Sequence, residues 1–531
     1  MKRAIAIATI SFWLLAGKNA APMNPPVSTP SGPIVGEVQN GVKRYLGIPY
    51  AMPPVGERRW REPIPAQPWQ EPYLATTFGP ACPQPQRDFV RLTGRMDEDC
   101  LTLNIWTPAL GKTDSLPVMV WLHGGGFLVG SSSEAIYDGS ALAQKGVVVV
   151  TLNYRLGALG FLAHPALTAE SPHASSGNYG LMDQILALKW VRDHIREFGG
   201  NPKNVTIFGQ SAGAVSVTTL MTSPLAEGLF QRAIAQSGSV PNHLRCLSAS
   251  RPNLPSLESV GEAFAQRLGG SPELRRQPWQ KVVKVWETTL EETPFDSDMA
   301  GSGTLNHLSI DGYLIPELPG TAFALGRQQR VPFLTGTVAD EGAVFAYNLR
   351  INTLSAYTRF LNQVFGSTLA QQYWALYPAR DHPSARQAIR TLISDLFVLD
   401  MKTMAMQMAA VQPQTYVYQF DRVSRGNARS GLGSFHGIEL RYVFGTLPEN
   451  QGFEREDEWL SQRMAEYWTQ FARTGNPNGS GASWPPFDAK SDRYQLLSSR
   501  IQTDRNLRRQ SLERLAALRQ TSTPSLCDPT L

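Results

Sequence analysis

Two short glycine-rich motifs carry the residue types that acyl-transfer chemistry requires. The first, GQSAG at residues 209–213, lies between a strand-like run at 205–208 and a helical pattern at 212–221. A serine at such a strand-to-helix turn is exposed for attack, and small flanking residues let neighbouring backbone approach closely. Ser211 is therefore the candidate nucleophile. The alternative is that Ser211 only caps the helix, an interpretation that the second motif disfavours.

The second motif, HGGGF at residues 123–127, directly follows the apolar run at 117–122. Successive glycines present backbone N–H groups to a ligand with no side chain in the way. Such a loop, together with the N–H of the residue after the nucleophile, forms the oxyanion hole of esterases and lipases. We predict Gly125, Gly126 and Ala212 as the donors. A simple flexible turn is the alternative.

The candidate base is a histidine that comes late in the chain. The order Ser…Asp/Glu…His is typical of this kind of elbow, and four histidines follow Ser211: His243, His307, His382 and His436. The first two come too early to follow an acid on a later strand, and His382 lies in a turn-like segment. His436 follows the strand-like run 415–420 and a Gly/Ser loop, which favours it as the base.

The candidate acid is one of two adjacent carboxylates, Asp340 and Glu341, which follow the strand-like run 331–337. Either group has the chemistry to orient the imidazole and stabilise its cation. A solvated turn is the alternative interpretation of the pair. The residues alone leave the choice between the two open.

The elements that would position these residues alternate between strand-like and helical patterns. Buried runs at 117–122 and 147–152 precede a helical pattern over 181–198, which ends at Gly199. This alternation predicts an α/β fold with a large, mostly parallel central sheet flanked by helices. Residues 250–300 indicate a helical insertion or lid-like region. Residues 500–519, with Arg508, Arg509 and Arg514, indicate an amphipathic C-terminal helix with a solvated face, and an anion-contacting or membrane-surface helix is the alternative.

Composition excludes several classes of function. The 531 residues include 18% charged side chains and carry a formal net charge of +5, with no basic stretch dense enough for nucleic acid. Lys2 and Arg3 precede an apolar run to Gly17, which predicts a signal peptide over residues 1–21 and a single mature domain over 22–531. The sequence leaves the cleavage site open, after Gly17 or after Ala20 or Ala21, and a retained membrane anchor is the alternative. No other run has membrane-spanning length. We therefore expect a secreted or periplasmic protein.

Export makes the four cysteines interpretable as disulfide partners. Cys82 and Cys100 lie 18 residues apart in a loop-like region, a spacing that suits a local bridge. Cys246 and Cys527 either pair with each other or stay free. The sequence leaves that pairing, the oligomeric state and the natural substrate open.

The chain resembles the type B carboxylesterases, which include cholinesterases and bacterial p-nitrobenzyl esterases, and looks like a secreted member of the bacterial kind. The resemblance covers nearly the whole mature chain and rests on these segments: YLGIPYA at 45–51, EDCLTLNI at 98–105, the HGGGF loop, NYRLG at 153–157, GNYGLMDQ at 177–184, the elbow, DEG at 340–342 and FHG at 435–437.

The resemblance implies an α/β-hydrolase fold and a Ser211–His436–Glu341 triad, with Glu341 rather than Asp340 as the acid. It also implies a Cys82–Cys100 disulfide, a small-molecule ester as substrate, and no metal or cofactor. The chain departs from the family at Gln210, where most members have Glu, and lacks the choline-binding tryptophan before Cys100. Both departures argue against quaternary-ammonium substrates.

Two other functions use the same fold. The triad serves amide, thioester and lactone hydrolysis as well as ester hydrolysis, because every acyl transfer needs a nucleophile and an oxyanion hole. A non-catalytic, neuroligin-like binding protein is the second alternative, but such relatives typically lose the serine.

Overall fold

The computed structural model describes residues 23–87, 92, 94–250, 255–292, 307–349, 351–479, 481–519 and 527. The predicted signal peptide over 1–21 lies outside these residues. So do most of the segment 88–92, which precedes Cys100 and lacks the choline-binding tryptophan, and parts of the predicted insertion at 251–254 and 293–300.

An eleven-stranded sheet forms the centre of the molecule. In chain order its strands are β1 (Glu37–Gln39), β2 (Val42–Pro49), β3 (Thr102–Thr107), β4 (Leu116–Leu122), β5 (Val148–Leu152), β6 (Gly200–Gln210), β7 (Arg232–Gln236), β8 (Phe333–Val338), β9 (Thr415–Phe420), β10 (Arg493–Leu497) and β11 (Ile501–Arg505). In space they run β11-β10-β9-β8-β7-β6-β4-β5-β3-β2-β1. The predicted strands at 117–122, 147–152, 205–208, 331–337 and 415–420 all lie in this sheet.

The seven strands from β10 to β5 pair in parallel, and the outer strands pair antiparallel at both sides. Side chains along β4 alternate between two cores: Val118 and Val120 contact one, and Met119 and Trp121 contact the other. All four are fully buried, as expected for a parallel strand covered on both faces. The predicted mostly parallel sheet flanked by helices is confirmed.

Fifteen helices accompany the sheet. They are α1 (Ser140–Ala143), α2 (Gly157–Phe161), α3 (Pro165–Glu170), α4 (Tyr179–His194), α5 (Ala212–Leu220), α6 (Leu257–Leu268), α7 (Trp279–Glu292), α8 (Pro319–Ala324), α9 (Gly342–Asn348), α10 (Leu354–Leu376), α11 (His382–Ala409), α12 (Arg425–Ser430), α13 (Glu439–Val443), α14 (Arg455–Thr474) and α15 (Arg509–Arg519), counted over the described ranges. Helices α4 and α5 pack on one face of the sheet, and α14 packs on the other.

The predicted helical insertion consists of α6 and α7 where the structure describes it. Phe264 of α6 and Trp286 of α7 meet edge to face, with ring centroids 5.2 Å apart, and both are buried in the main core. The insertion is therefore packed against the body of the protein along these two helices.

The prediction of one amphipathic helix over 500–519 is wrong in its first half. Residues 501–505 form β11, because they pair antiparallel with β10 at the edge of the sheet, and only α15 is helical. Arg508, assigned to a solvated face, instead donates to the Asp395 carboxylate at 2.7 Å and to the carbonyl oxygen of Ala339. Tertiary partners therefore overrode the local helical pattern.

Two disulfides join cysteines that are buried or half-buried. Cys82 is joined to Cys100, and Cys246 is joined to Cys527, which lies 281 residues later. The second bridge ties the C-terminal tail to the start of the helical insertion. Within the described ranges, no helix combines the length and apolar character needed to cross a bilayer.

Candidate active site

The serine elbow lies between β6 and α5 at the centre of the sheet. Ser211 has φ 57° and ψ −124°, a sparsely populated conformation that persists only when the surrounding chain fixes it. Its N–H donates to the carbonyl oxygen of Gln236 in β7, 2.9 Å away. A Cβ at Gly213 would lie 1.9 Å from the carbonyl oxygen of Leu122, so this turn requires glycine there.

The glycine loop follows β4 and packs directly against the elbow. Gly125 has φ 102°, and a Cβ there would lie 2.0 Å from the carbonyl oxygen of Val129. A Cβ at Gly124 would lie 3.2 Å from Cβ of Ser211, which shows how closely the two segments approach. Ala212 is the first residue of α5, where N–H groups have no partner within the helix.

His123, the histidine that begins the glycine loop, has a structural role. His123 is fully buried and stacks on Tyr154 with ring centroids 4.3 Å apart. The Tyr154 hydroxyl donates to the carbonyl oxygen of His123 at 2.8 Å. Burial lowers the pKa of His123 to about 4, so this side chain is neutral at pH 7 and adds no charge beside the loop.

The candidate base and acid meet across two loops. His436 Nδ1 lies 2.5 Å from Oε2 of Glu341, whose side chain is fully buried. The other oxygen of Glu341 accepts the N–H of Val338 at 2.9 Å. The rings of Phe345 and Phe397 flank the imidazole, with centroids 5.1 and 5.2 Å from it. Hydrogen bonds and ring packing together fix the orientation of His436.

Asp340, the rival acid, has a different partner. Its carboxylate forms an ion pair with Arg390, whose Nε lies 2.5 Å from Oδ1. Of the two adjacent carboxylates, only Glu341 bonds to His436. The other candidate histidines lie elsewhere: His307 is buried beside Phe161 and Trp286, and His382 is exposed at the start of α11.

One cavity of about 460 Å³ brings the candidate residues together. Its lining includes Ser211, Gly125, Gly126 and His436, and is otherwise mostly apolar, with contributions from Leu128, Val129, Ile136, Val215, Val344, Phe345, Phe397 and Leu440. An apolar cavity with few convergent polar groups is the usual form of a small-molecule site.

Gln210 touches the candidate base directly. Its amide nitrogen lies 3.0 Å from Nε2 of His436. When Nδ1–H donates to Glu341, Nε2 is the acceptor nitrogen, so the geometry corresponds to an amide N–H donated to it. A glutamate at this position would have no hydrogen to donate in its ionised form.

Two carboxyl groups near the cavity, one half-buried and one fully buried, were not predicted from the sequence. Glu134 lines the cavity and accepts the N–H of Ser131 at 3.2 Å, and burial raises its pKa to about 7. Glu439 is fully buried, and burial together with nearby Glu341 raises its pKa to about 7. The position of Glu439, three residues after His436 in the sequence, is a signal that points to it.

The comparisons with known proteins agree with this fold and identify the family. A model of the carboxylesterase family matches residues 23–515. The fumonisin B1 esterase of Sphingopyxis macrogoltabida is 37% identical over 503 residues, which cover 91% of this chain and 89% of that protein. The para-nitrobenzyl esterase of Bacillus subtilis (strain 168) is 36% identical over 493 residues, covering 90% and 95%.

Solved structures of esterases have the same fold as this chain. A PNB esterase superposes with a TM-score of 0.78 at 34% identity, covering 92% of this chain and 99% of that one. A thermophilic PNB esterase gives a TM-score of 0.79, also at 34% identity, with the same coverage. The chain belongs to the carboxylesterase family and has the α/β-hydrolase fold. It is a serine carboxylic-ester hydrolase of the type B class.

Proposed function

We propose that the protein hydrolyses small-molecule carboxylic esters through an acyl-enzyme formed on Ser211, with His436 as the base and Glu341 as the acid. The observation that carries this proposal is the 2.5 Å contact between His436 and Glu341 beside a cavity that Ser211 and the glycine loop also line. A carboxylate on Nδ1 holds the tautomer whose Nε2 can accept a proton.

In the first half-reaction, Oγ of Ser211 attacks the ester carbonyl carbon while its proton passes to Nε2 of His436. The carbonyl electrons move onto the oxygen, where the N–H groups of Gly125, Gly126 and Ala212 stabilise the negative charge. The carbonyl then re-forms, and the alcohol leaves with the proton from Nε2.

Water completes the cycle by the reverse proton path. It attacks the acyl carbon and gives a proton to His436, and Ser211 leaves with that proton as the carboxylic acid forms. The Gln210 amide must release Nε2 before each step in which Nε2 accepts a proton, because a neutral imidazole has one acceptor nitrogen. The chemistry needs no metal or cofactor.

The lining of the cavity supports neutral esters as the substrate class. Its walls are largely apolar, and the residue beside His436 is the uncharged Gln210. One of the relatives is named a para-nitrobenzyl esterase and another a fumonisin B1 esterase. We propose esters with apolar groups next to the scissile bond, and we propose them ahead of amides, thioesters and lactones.

The test is hydrolysis of p-nitrophenyl butyrate by wild type and by Ser211→Ala, with circular dichroism to check folding. We expect a folded variant to lose several orders of magnitude in kcat, because it has no nucleophile. An inert folded wild type, or an equally active Ser211→Ala, would contradict the proposal. A matched p-nitroanilide of butyrate separates esterase from amidase activity.

We also propose that residues 1–21 are a signal peptide removed on export, that 22–531 form a single domain with helical insertions, and that the protein is secreted or periplasmic. Two disulfides support this location, because such bridges persist in oxidising compartments. Mass spectrometry of the exported protein should find a new N-terminus near residue 22. Cytosolic protein with residues 1–21 intact and four reduced thiols would contradict it.

A further inference from the structure

The pairing of His436 with Glu341 depends on two loops that are far apart in the chain. Glu341 lies in the turn between β8 and α9, and His436 lies 95 residues later, beyond α12. Neither loop belongs to a strand or helix at the contact itself. The two loops meet at one isolated backbone bridge between Asp340 and Phe435, and any further restraint on their separation must come from side chains around it.

Arg390 of α11 bonds to both loops at once. On the acid turn, its Nε and Nη2 donate to the two carboxylate oxygens of Asp340, the residue before Glu341. On the histidine loop, Nη1 donates to the carbonyl oxygen of Gly431 at 3.0 Å, and Nη2 to that of Leu432 at 3.2 Å. One planar guanidinium thus makes four hydrogen bonds that span the two loops.

Hydrogen bonds near Arg390 also connect the acid turn to the histidine loop and to α11. The N–H of Asp340 donates to the carbonyl oxygen of Ser434, two residues before His436, at 3.0 Å. The N–H of Gly342 donates to Oγ of Ser394, which in turn donates to the carbonyl oxygen of Arg390 at 2.9 Å. A shift of the guanidinium would therefore move Asp340, the residue before Glu341, relative to the histidine loop, while Gly342 stays attached to the backbone of α11.

We propose that Arg390 is a positioning residue that sets the distance and angle between His436 and Glu341 by tying the acid turn to the histidine loop. The proposal rests on the proposed function of that pair. Arg390 does not touch either residue, and it acts through Asp340 and the carbonyl oxygens of the loop. The fork shape of the group is essential, because an ammonium cannot hold a carboxylate by two parallel bonds and reach two carbonyls as well.

The test compares Arg390→Met and Arg390→Lys with Arg386→Met as the matched control. Arg386 lies one turn earlier on the same helix, is exposed, and contacts only the ring of Tyr347 among the partners described for it. With p-nitrophenyl butyrate we expect both Arg390 variants to lose about 10² in kcat, with KM within about twofold. Arg386→Met should match wild type within about twofold.

A spectroscopic measurement separates positioning from simple destabilisation. The proton in the short His436–Glu341 hydrogen bond should resonate far downfield in the one-dimensional proton spectrum of wild type and Arg386→Met. We expect it to shift upfield or broaden in both Arg390 variants below their unfolding temperatures. Asp340→Asn, which keeps an oxygen acceptor, provides a milder variant if Arg390→Met does not fold.

The outcomes are distinguishable from failure of the proposed function. A folded wild type without esterase activity would overturn the triad itself. An active wild type together with Arg390 variants that keep wild-type kcat and the downfield proton would overturn the positioning role alone. Full recovery by Arg390→Lys would also overturn it, because charge without the fork would then be sufficient.

Discussion

The two sides of the active site are built in different ways. The elbow side, Ser211 with the glycine loop at 124–126, is fixed by backbone contacts at the ends of the adjacent central strands β4 and β6. The base side, His436 with Glu341, is fixed by side-chain hydrogen bonds and ring packing between loops. An added side chain on the elbow side should therefore lower the stability of the whole protein, whereas the loss of activity on the base side should depend on which hydrogen bond is removed.

The largest expected effect tests which carboxylate serves the base. Glu341→Gln should lower kcat for p-nitrophenyl butyrate by about 10⁴, because a neutral amide does not stabilise the imidazolium and can favour the wrong tautomer. Asp340→Asn should cost only about tenfold, because it weakens the contact with Arg390 and leaves Glu341 on His436. The two variants differ by one residue in position, so each is the control for the other. A larger loss in Asp340→Asn would reverse the assignment.

The second-largest expected effect is a loss of stability when a side chain is added on the elbow side. Gly213→Ala places a Cβ 1.9 Å from the carbonyl oxygen of Leu122, and rigid central strands cannot move apart to accept it. We expect a loss of about 3 kcal/mol or more in the free energy of unfolding, measured by urea denaturation. Gly111→Ala is the control, because its Cβ has nothing within 4 Å. Equal stability of the two variants would contradict the rigid elbow.

A third effect concerns the buried carboxyl group behind the base side. The pKa of Glu439 is raised to about 7 from 4.5 by burial, so the folded state binds a proton more tightly than the unfolded state. Its stabilising contribution is complete below pH 4.5 and is lost as pH rises through 7. Glu439→Gln removes this dependence, because its amide does not ionise.

The measurement is urea unfolding of both proteins at pH 5 and pH 8. The stability of Glu439→Gln relative to wild type should rise between these values by up to roughly 3 kcal/mol. Glu513→Gln, which changes an exposed carboxylate paired with Arg509, should show no such trend. A pH-independent difference for Glu439→Gln would mean that Glu439 is ionised throughout.

The smallest effect tests the neutral amide beside His436. Gln210→Glu restores the residue that most of the family has, and places a carboxylate next to Nε2 in place of the amide donor. We expect kcat/KM for acetylcholine relative to its uncharged analogue 3,3-dimethylbutyl acetate to rise about tenfold, by attraction of the cation. An unchanged ratio would show that position 210 does not contribute to charge selectivity.

Local sequence patterns were enough to predict the elbow side. GQSAG and HGGGF each place a required glycine and a functional residue within five positions, and the strands before them have continuous apolar runs. The central strands and helices α4 and α5 were predicted for the same reason. The steric constraints on these segments act between residues that are close in the chain. The local sequence pattern is therefore sufficient to predict them.

The base side could be predicted only in part. The residues left Asp340 and Glu341 equivalent, and the choice came from the family resemblance. Contacts such as Arg390 with Gly431, or Gln210 with His436, join residues 41 and 226 positions apart. No local pattern encodes which of 49 lysines and arginines will lie there, because that depends on how α11 packs on the sheet.

By itself, then, the sequence determined the class of fold and predicted the serine elbow and the glycine loop, because backbone sterics and strand burial depend on nearest neighbours in the chain. Only the tertiary structure decided that Cys246 pairs with Cys527, that residues 501–505 join the sheet, and that Arg508 and Arg390 bind carboxylates rather than water. The disulfide and the two arginine contacts depend on partners that folding brings close from distant parts of the chain, whereas residues 501–505 join the sheet by pairing with the strand immediately before them.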